Sequence, residues 1–117
     1  MEFAPTIHPV KNFAIRISDG KKALCYSGDG MFVDSTEEMY KNSDLVIHES
    51  FTFGEKVEGH AIVKDLIPMA QKNKIKCLAL THIRRDVRRE QMDKIKKYIS
   101  KQKNKVIIPE PLEEYLF

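Results

Sequence analysis

The stretch Lys74–Asp86, "KIKCLALTHIRRD", sets the fold. Residues 75–80 are nearly all apolar, deliver Thr81 and His82 at their end, and give way at once to Arg84, Arg85 and Asp86. An apolar run of this length between polar residues predicts a buried strand. The C-terminal edge of such a strand is where α/β folds place chemistry, and also where they place ordinary loops. His82 alone does not choose between the two.

Working outward, the same pattern recurs. "DLVIHES" (44–50) is a second apolar run ending in His48 and Glu49. Further upstream, "FAIRISDGKKALCYSGDG" (13–30) reads as a hairpin: Phe13, Ile15 and Ile17 alternate with polar residues, Asp19-Gly20 supplies the turn, and Ala23–Tyr26 returns. "STEEMYKNS" predicts a short helix with Ser35 and Glu38 in capping-box spacing. Residues 50–59 form a glycine-containing loop. From His60 onward Ile62, Val63, Leu66, Ile67 and Ala70 fall on one helical face, and Pro68 is expected to kink that helix. After the 75–81 strand comes a basic amphipathic helix with Met92, Ile95 and Ile99 inward and Asp86 as its N-cap. "KVIIPEP" is a last strand stopped by Pro109. The order ββαβαβαβ predicts an α/β layer in one domain, residues 1–117, with no internal repeat and no linker.

Composition narrows the class. With 117 residues, 42% of them hydrophobic and 32% charged, the chain has material for one modest core. No apolar segment nears the ~20 residues of a membrane span, and no signal-peptide layout opens the chain. Cys25 and Cys77 sit inside strand-like runs, which suits buried thiols of a cytoplasmic protein. The net charge of +3 conceals an asymmetry, because residues 84–105 carry ten Lys/Arg against three acids. Such a block is either a solvated helix face or a surface for phosphate backbones.

Three strands thus end in groups suited to metal or acid–base work: Asp29 after "CYSG", His48-Glu49 after "DLVI" and His82 after "CLALT". His60 opens the helix after a glycine. Strand ends of one sheet converge on one edge, and carboxylates with imidazoles are ligands that a hydrolytic divalent metal prefers. Taken singly, each has a bland reading: a strand-end His is commonly a hydrogen-bonded structural residue, and Asp29 between glycines a turn former.

In order, "YSGDG", "SDLVIHES", "EGHA" and "LALTH" resemble the C-terminal half of the metallo-β-lactamase-fold hydrolases, and most of all the ribonuclease Z branch of tRNA 3′-processing endonucleases and related phosphodiesterases. The resemblance covers residues 7–83. It implies half of an αββα sandwich, a mixed sheet with helices on one face. It further implies Asp29 as a metal-bridging carboxylate, His82 as a ligand of the second metal, and Glu49 with His60 as a proton-shuttling pair. His48 keeps the family's residue with a local structural role. His8 in "TIHPV" is similar to a His that precedes the hairpin in the family, and Arg85 is the phosphate-contacting candidate. The implied cofactor is a divalent metal, zinc, with two ions in a completed site.

The chain departs from that family in several places. The H-x-H-x-D-H metal motif is absent, since the four histidines stand at 8, 48, 60 and 82. Gly30 replaces the usual Thr or Ser, and "IRRDVRR" follows His82. Catalytic zinc sites hold three protein ligands plus water, whereas Asp29 and His82 supply two. A half-sandwich would also bare one apolar face. The leading expectation is therefore a metal-dependent hydrolase half, inactive alone and completed by a second chain or by a missing N-terminal half. The alternatives are a non-catalytic dimeric or RNA-binding module that keeps the half-fold, and an unrelated α/β domain.

Overall fold

The computed structural model describes all 117 residues. Six strands form one sheet whose spatial order is their chain order: β1 (Glu2–Pro5), β2 (Phe13–Ser18), β3 (Ala23–Tyr26), β4 (Leu45–Glu49), β5 (Cys77–Thr81) and β6 (Lys105–Ile107). β1, β2 and β3 pair antiparallel, and β3 to β6 pair parallel. Parallel neighbours need crossovers. The helices α1 (Asp34–Tyr40), α2 (Val63–Lys72) and α3 (Arg85–Ser100) supply them. None is long and apolar enough to cross a membrane.

The β2–β3 turn forms as the sequence predicts. Gly20 takes φ +88°, and the Asp19 carboxylate accepts from the N–H groups of Lys21 and Lys22 at 2.9 and 2.8 Å. β1 is an addition to the expected order. It is an edge strand, the position where Pro5 costs no ladder bond, and the short run "EFAP" carried no usable alternation.

Three helix starts differ from expectation. α1 is capped at Val33, with the Thr36 hydroxyl accepting from Val33 N–H at 2.9 Å, and Glu38 pairs instead with Lys41. α2 begins at Val63, so His60 stands in the connection before it. α3 begins at Arg85 with Arg84 as N-cap, and the Asp86 carboxylate is turned onto the Arg84 guanidinium at 2.6 and 3.0 Å. α2 runs through Pro68 to Lys72, and Pro68 and Lys64 are both exposed, so the Lys64 carbonyl that loses its donor faces water.

All three helices lie on one face of the sheet. There Ala14, Cys25, Val46, Leu78 and Leu80 meet Tyr40 from α1, Val63, Leu66, Ile67 and Ala70 from α2, and Val87 and Ile95 from α3. Met92 and Ile99 are half-buried against this core. Side chains alternate across a strand, so the register assigns Phe3, Phe13, Ile15, Ile17, Leu24, Tyr26, Leu45, Ile47, Cys77, Ala79 and Ile107 to the other face. No helix covers it. Of its apolar residues only a small cluster of Leu45, Cys77 and Ala79 is buried, while Phe3, Phe13, Ile17, Leu24 and Tyr26 are exposed. Cys25 and Cys77, both free and buried, are therefore on opposite faces.

Candidate functional site

The parallel strands β3, β4 and β5 end on one edge, and the loops leaving them build the site. Past β3, the turn 27–30 is held by Asn12. With its amide oxygen facing the turn, Asn12 accepts from the N–H groups of Asp29 and Gly30 at 3.2 and 3.0 Å and from the Thr6 hydroxyl at 2.6 Å. Gly28 takes φ +67°, and a Cβ on Gly30 would overlap the Thr6 hydroxyl. That overlap is the physical reason Gly30 stands where a Thr or Ser was expected.

β4 delivers two neighbours to opposite faces. His48 points into the helix-side core, wholly buried, with the edges of its neighbours Phe32 and Tyr40 packed at 5.9 and 5.7 Å between ring centres. Its Nδ1–H donates to the Glu49 carbonyl at 2.7 Å, and burial lowers its pKa to about 4. It is a neutral packing residue. Glu49 points the other way and is equally buried. Ser27 Oγ accepts its backbone N–H at 2.9 Å, and its Oε1 accepts from Ala61 N–H, which fixes the carboxyl group. Burial, with the charge of Asp29 adding, pushes the Glu49 carboxyl up to about 7.

His60 and His82 close on that carboxyl. His60 Nδ1 is 3.5 Å from Glu49 Oε2, and His82 Nδ1 is 3.9 Å from the same oxygen. Asp29 Oδ1 is 3.7 Å from His82 Nδ1. His82 follows β5 at φ +54°, a conformation an L side chain seldom takes, and so turns back at the strand end. Burial lowers the pKa of His60, and the neighbouring His8 and His82 add to the effect. Glu49 Oε2 and His60 Nδ1 are buried with no hydrogen-bond partner, and orphaned atoms of this kind are uncommon in folded proteins. Glu49, His60 and His82 offer one donor atom each within 4.8 Å of one another. Imidazole and carboxylate donors around two unsatisfied atoms fit a divalent cation.

Asp29, Glu49, His60 and His82 thus meet, although they come from four separate segments. Arg85 does not join them by any contact; it is exposed at the start of α3 and forms no ion pair. Three contributors escaped the sequence reading or were given little role in it. His8 lies 5.5 Å from His60 between ring centres. Phe51 stacks on His60 at 4.1 Å and stands 5.6 Å from His82. The Arg84 guanidinium sits over the Phe51 ring at 5.6 Å, and its backbone N–H donates to the Phe51 carbonyl at 2.8 Å. An aromatic two residues past the His48-Glu49 strand end was the available signal for Phe51.

No family model matches the chain. It is 43% identical over 47 residues, 40% of its own length and 19% of the relative's, to the protein named "Probable metallo-hydrolase YhfI" of Bacillus subtilis. It is 31% identical over 97 residues, 80% of its own length and 32% of the relative's, to the ribonuclease Z of Sulfolobus acidocaldarius. The crystal structure of YhfI, a metallo-β-lactamase-fold protein, superposes with a TM-score of 0.80 at 28% identity, covering 92% of this chain and 45% of that one. The short form of human tRNase Z matches in fold, with a TM-score of 0.71 at 19% identity over 95% of this chain and 40% of that one. The chain spans no more than about a third of the curated relatives it matches. The metallo-hydrolase relatives imply a divalent metal. In sequence and in fold, then, this chain carries part of the metallo-β-lactamase fold, and its relatives include ribonuclease Z.

Proposed function

We propose that the chain is the C-terminal half of a metal-dependent hydrolase that acts on phosphodiesters, in the manner of ribonuclease Z or a related phosphodiesterase. The convergence of Asp29, Glu49, His60 and His82 on one sheet edge carries this reading. In the completed site Asp29 and His82 hold divalent metal, and the imidazole and carboxylate donors suit zinc, two ions in all. Bound there, the metal polarises the scissile phosphoryl group and lowers the pKa of a water.

The other residues of the chain handle protons and position. Glu49, with its carboxyl pushed up to about 7, and His60, its pKa lowered by burial, stand 3.5 Å apart, close enough to pass a proton between them. His60 presents that proton to the departing oxygen. Stacking on Phe51 fixes the plane of the His60 ring. Arg84 is already engaged by Asp86 and Glu55, whereas the exposed Arg85 is free to meet a substrate phosphate.

Two ligands do not complete a two-metal site. A second polypeptide segment supplies the H-x-H-x-D-H ligands and covers the bare sheet face, either as a partner chain or as an N-terminal half. The thiols Cys25 and Cys77, free and buried, suit the reducing cytoplasm.

Native mass spectrometry of the protein purified gently from its source, followed by hydrolysis of bis(p-nitrophenyl) phosphate, tests the proposal. The expected result is a complex with a segment bearing the H-x-H-x-D-H motif, with bound metal and hydrolysis. In that complex His60→Ala lowers kcat by about 10²–10⁴ with little change in KM, as for loss of a general acid. A metal-free homodimer or monomer without hydrolysis would overturn it, and would favour the binding-module alternative. Lys74, Lys76, Lys101, Lys103 and Lys105, which line one concavity at the N-terminal ends of β5 and β6, are where RNA phosphates would then be sought.

A further inference from the structure

We infer that this chain holds a one-ion metal site of its own, made by Glu49, His60 and His82, before any completing segment is present. The inference goes beyond the proposed function, in which Asp29 and His82 are the ligands and Glu49 and His60 move protons. Its basis is the arrangement of donor atoms in the chain as it stands. Donors about 2.0–2.1 Å from a tetrahedral zinc stand about 3.3–3.4 Å apart. Glu49 Oε2 is 3.5 Å from His60 Nδ1 and 3.9 Å from His82 Nδ1, and the three donor atoms fit within 4.8 Å. Small side-chain rotations bring them to ligand spacing. Asp29 approaches His82 alone among the histidines and lies outside this group of three.

Burial supplies an independent reason. Glu49 has no exposed surface, and its Oε2 has no hydrogen-bond donor; the His60 Nδ1 that faces it is buried and partnerless too. One cation between them satisfies both, while leaving them bare forfeits hydrogen bonds that water would have given in the unfolded chain. The second shell is already built. Glu49 is locked by Ala61 N–H on its other oxygen, and His60 by its stack on Phe51. His82 is the open side, half-exposed, which gives an ion its way in and leaves room for water as a fourth ligand.

Calorimetric titration of the chelator-stripped 117-residue chain with Zn²⁺, and with Co²⁺ read by its visible absorption, tests the site. We expect one ion per chain with a tetrahedral Co²⁺ spectrum. Glu49→Gln, which keeps the acceptor for Ala61 N–H, and His60→Ala should each weaken binding by about 100-fold or more, beyond the ~10–100-fold typical of second-shell losses. His82→Gly, compatible with the positive φ, should do the same. Asp29→Asn should bind within about fivefold of the wild type, as expected for loss of an exposed charge. Near-UV circular dichroism on each variant separates lost ligands from lost fold. Binding that survives His60→Ala and disappears in Asp29→Asn would overturn this inference and leave the proposed function standing. No binding by the folded wild-type chain would overturn it as well.

Discussion

His48 and Glu49 are adjacent in one strand, are equally buried, and titrate in opposite senses. In the folded chain His48 stays neutral down to about 4, against 6.5 when exposed, so folding loses stability as pH falls from about 6.5 towards 4. Glu49 takes its proton near 7 instead of 4.5, so folding gains stability as pH falls from about 7 to 4.5. Each shift corresponds to about 3 kcal/mol. In chelator the two nearly cancel between pH 7 and 5, which leaves the lowered pKa of His60 to draw the stability of the wild type down as pH falls. His48→Asn removes one side of the balance. Relative to the wild type, that variant should gain about 2 kcal/mol in urea unfolding on going from pH 7 to 5; a pH slope equal to that of the wild type would remove His48 as a buried neutral imidazole. At this scale the sequence was informative where polar residues end apolar runs, which singled out Asp29, Glu49 and His82, and where His60 follows a glycine before a helical stripe; the fold brings these four side chains together. It was silent on Ser27, Asn12 and Phe51, because their work lies in hydrogen bonds and stacking between segments that only the fold brings together.

The elements tell a similar story through periodicity. Every strand with a clear apolar run and every helix with a 3.6-residue stripe is present, and the stripes face the core as predicted, with Ile62, Val63, Leu66, Ile67 and Ala70 all buried. What escaped was β1, too short to show alternation, and the details of helix entry. Thr36 displaced the expected Ser35–Glu38 box, because the helix starts two residues earlier than the box requires. Asp86 was drawn from its cap role by a guanidinium two residues away. α3 rests on very few deeply buried residues, Val87 and Ile95. Ile95→Ala should therefore cost about 2–5 kcal/mol in urea unfolding. Ile99→Ala, at a half-buried position, should cost distinctly less. Equal losses would mean that α3 packs differently.

Seen whole, the molecule has a finished face and an unfinished one. Helices bury one side of the sheet, while Phe3, Phe13, Ile17, Leu24 and Tyr26 stay exposed on the other, an apolar patch of a kind that marks interaction surfaces. The edges are blunted by Pro5 in β1 and Lys105 in β6, so association should proceed through the face and not by strand addition. The chain by itself is expected to self-associate with rising concentration in sedimentation experiments. Ile17→Lys with Leu24→Lys should make it monomeric with unchanged secondary structure, and should also weaken its hold on a completing segment. A wild-type chain that stays monomeric throughout would argue that this face is closed by its own C-terminal residues, of which Phe117 lies beside Ile17, Leu24 and Leu45.

The contact between Gly30 and Thr6 carries a consequence for how this sequence could change over generations. A side chain cannot be added at position 30 while Thr6 occupies the space beside it. A larger residue at position 30 would first require a smaller one at position 6, and that step alone would remove the Thr6 hydroxyl from the Asn12 clasp that holds the turn of Asp29. The two positions are coupled, so the effect of a substitution at either one should depend on the residue at the other.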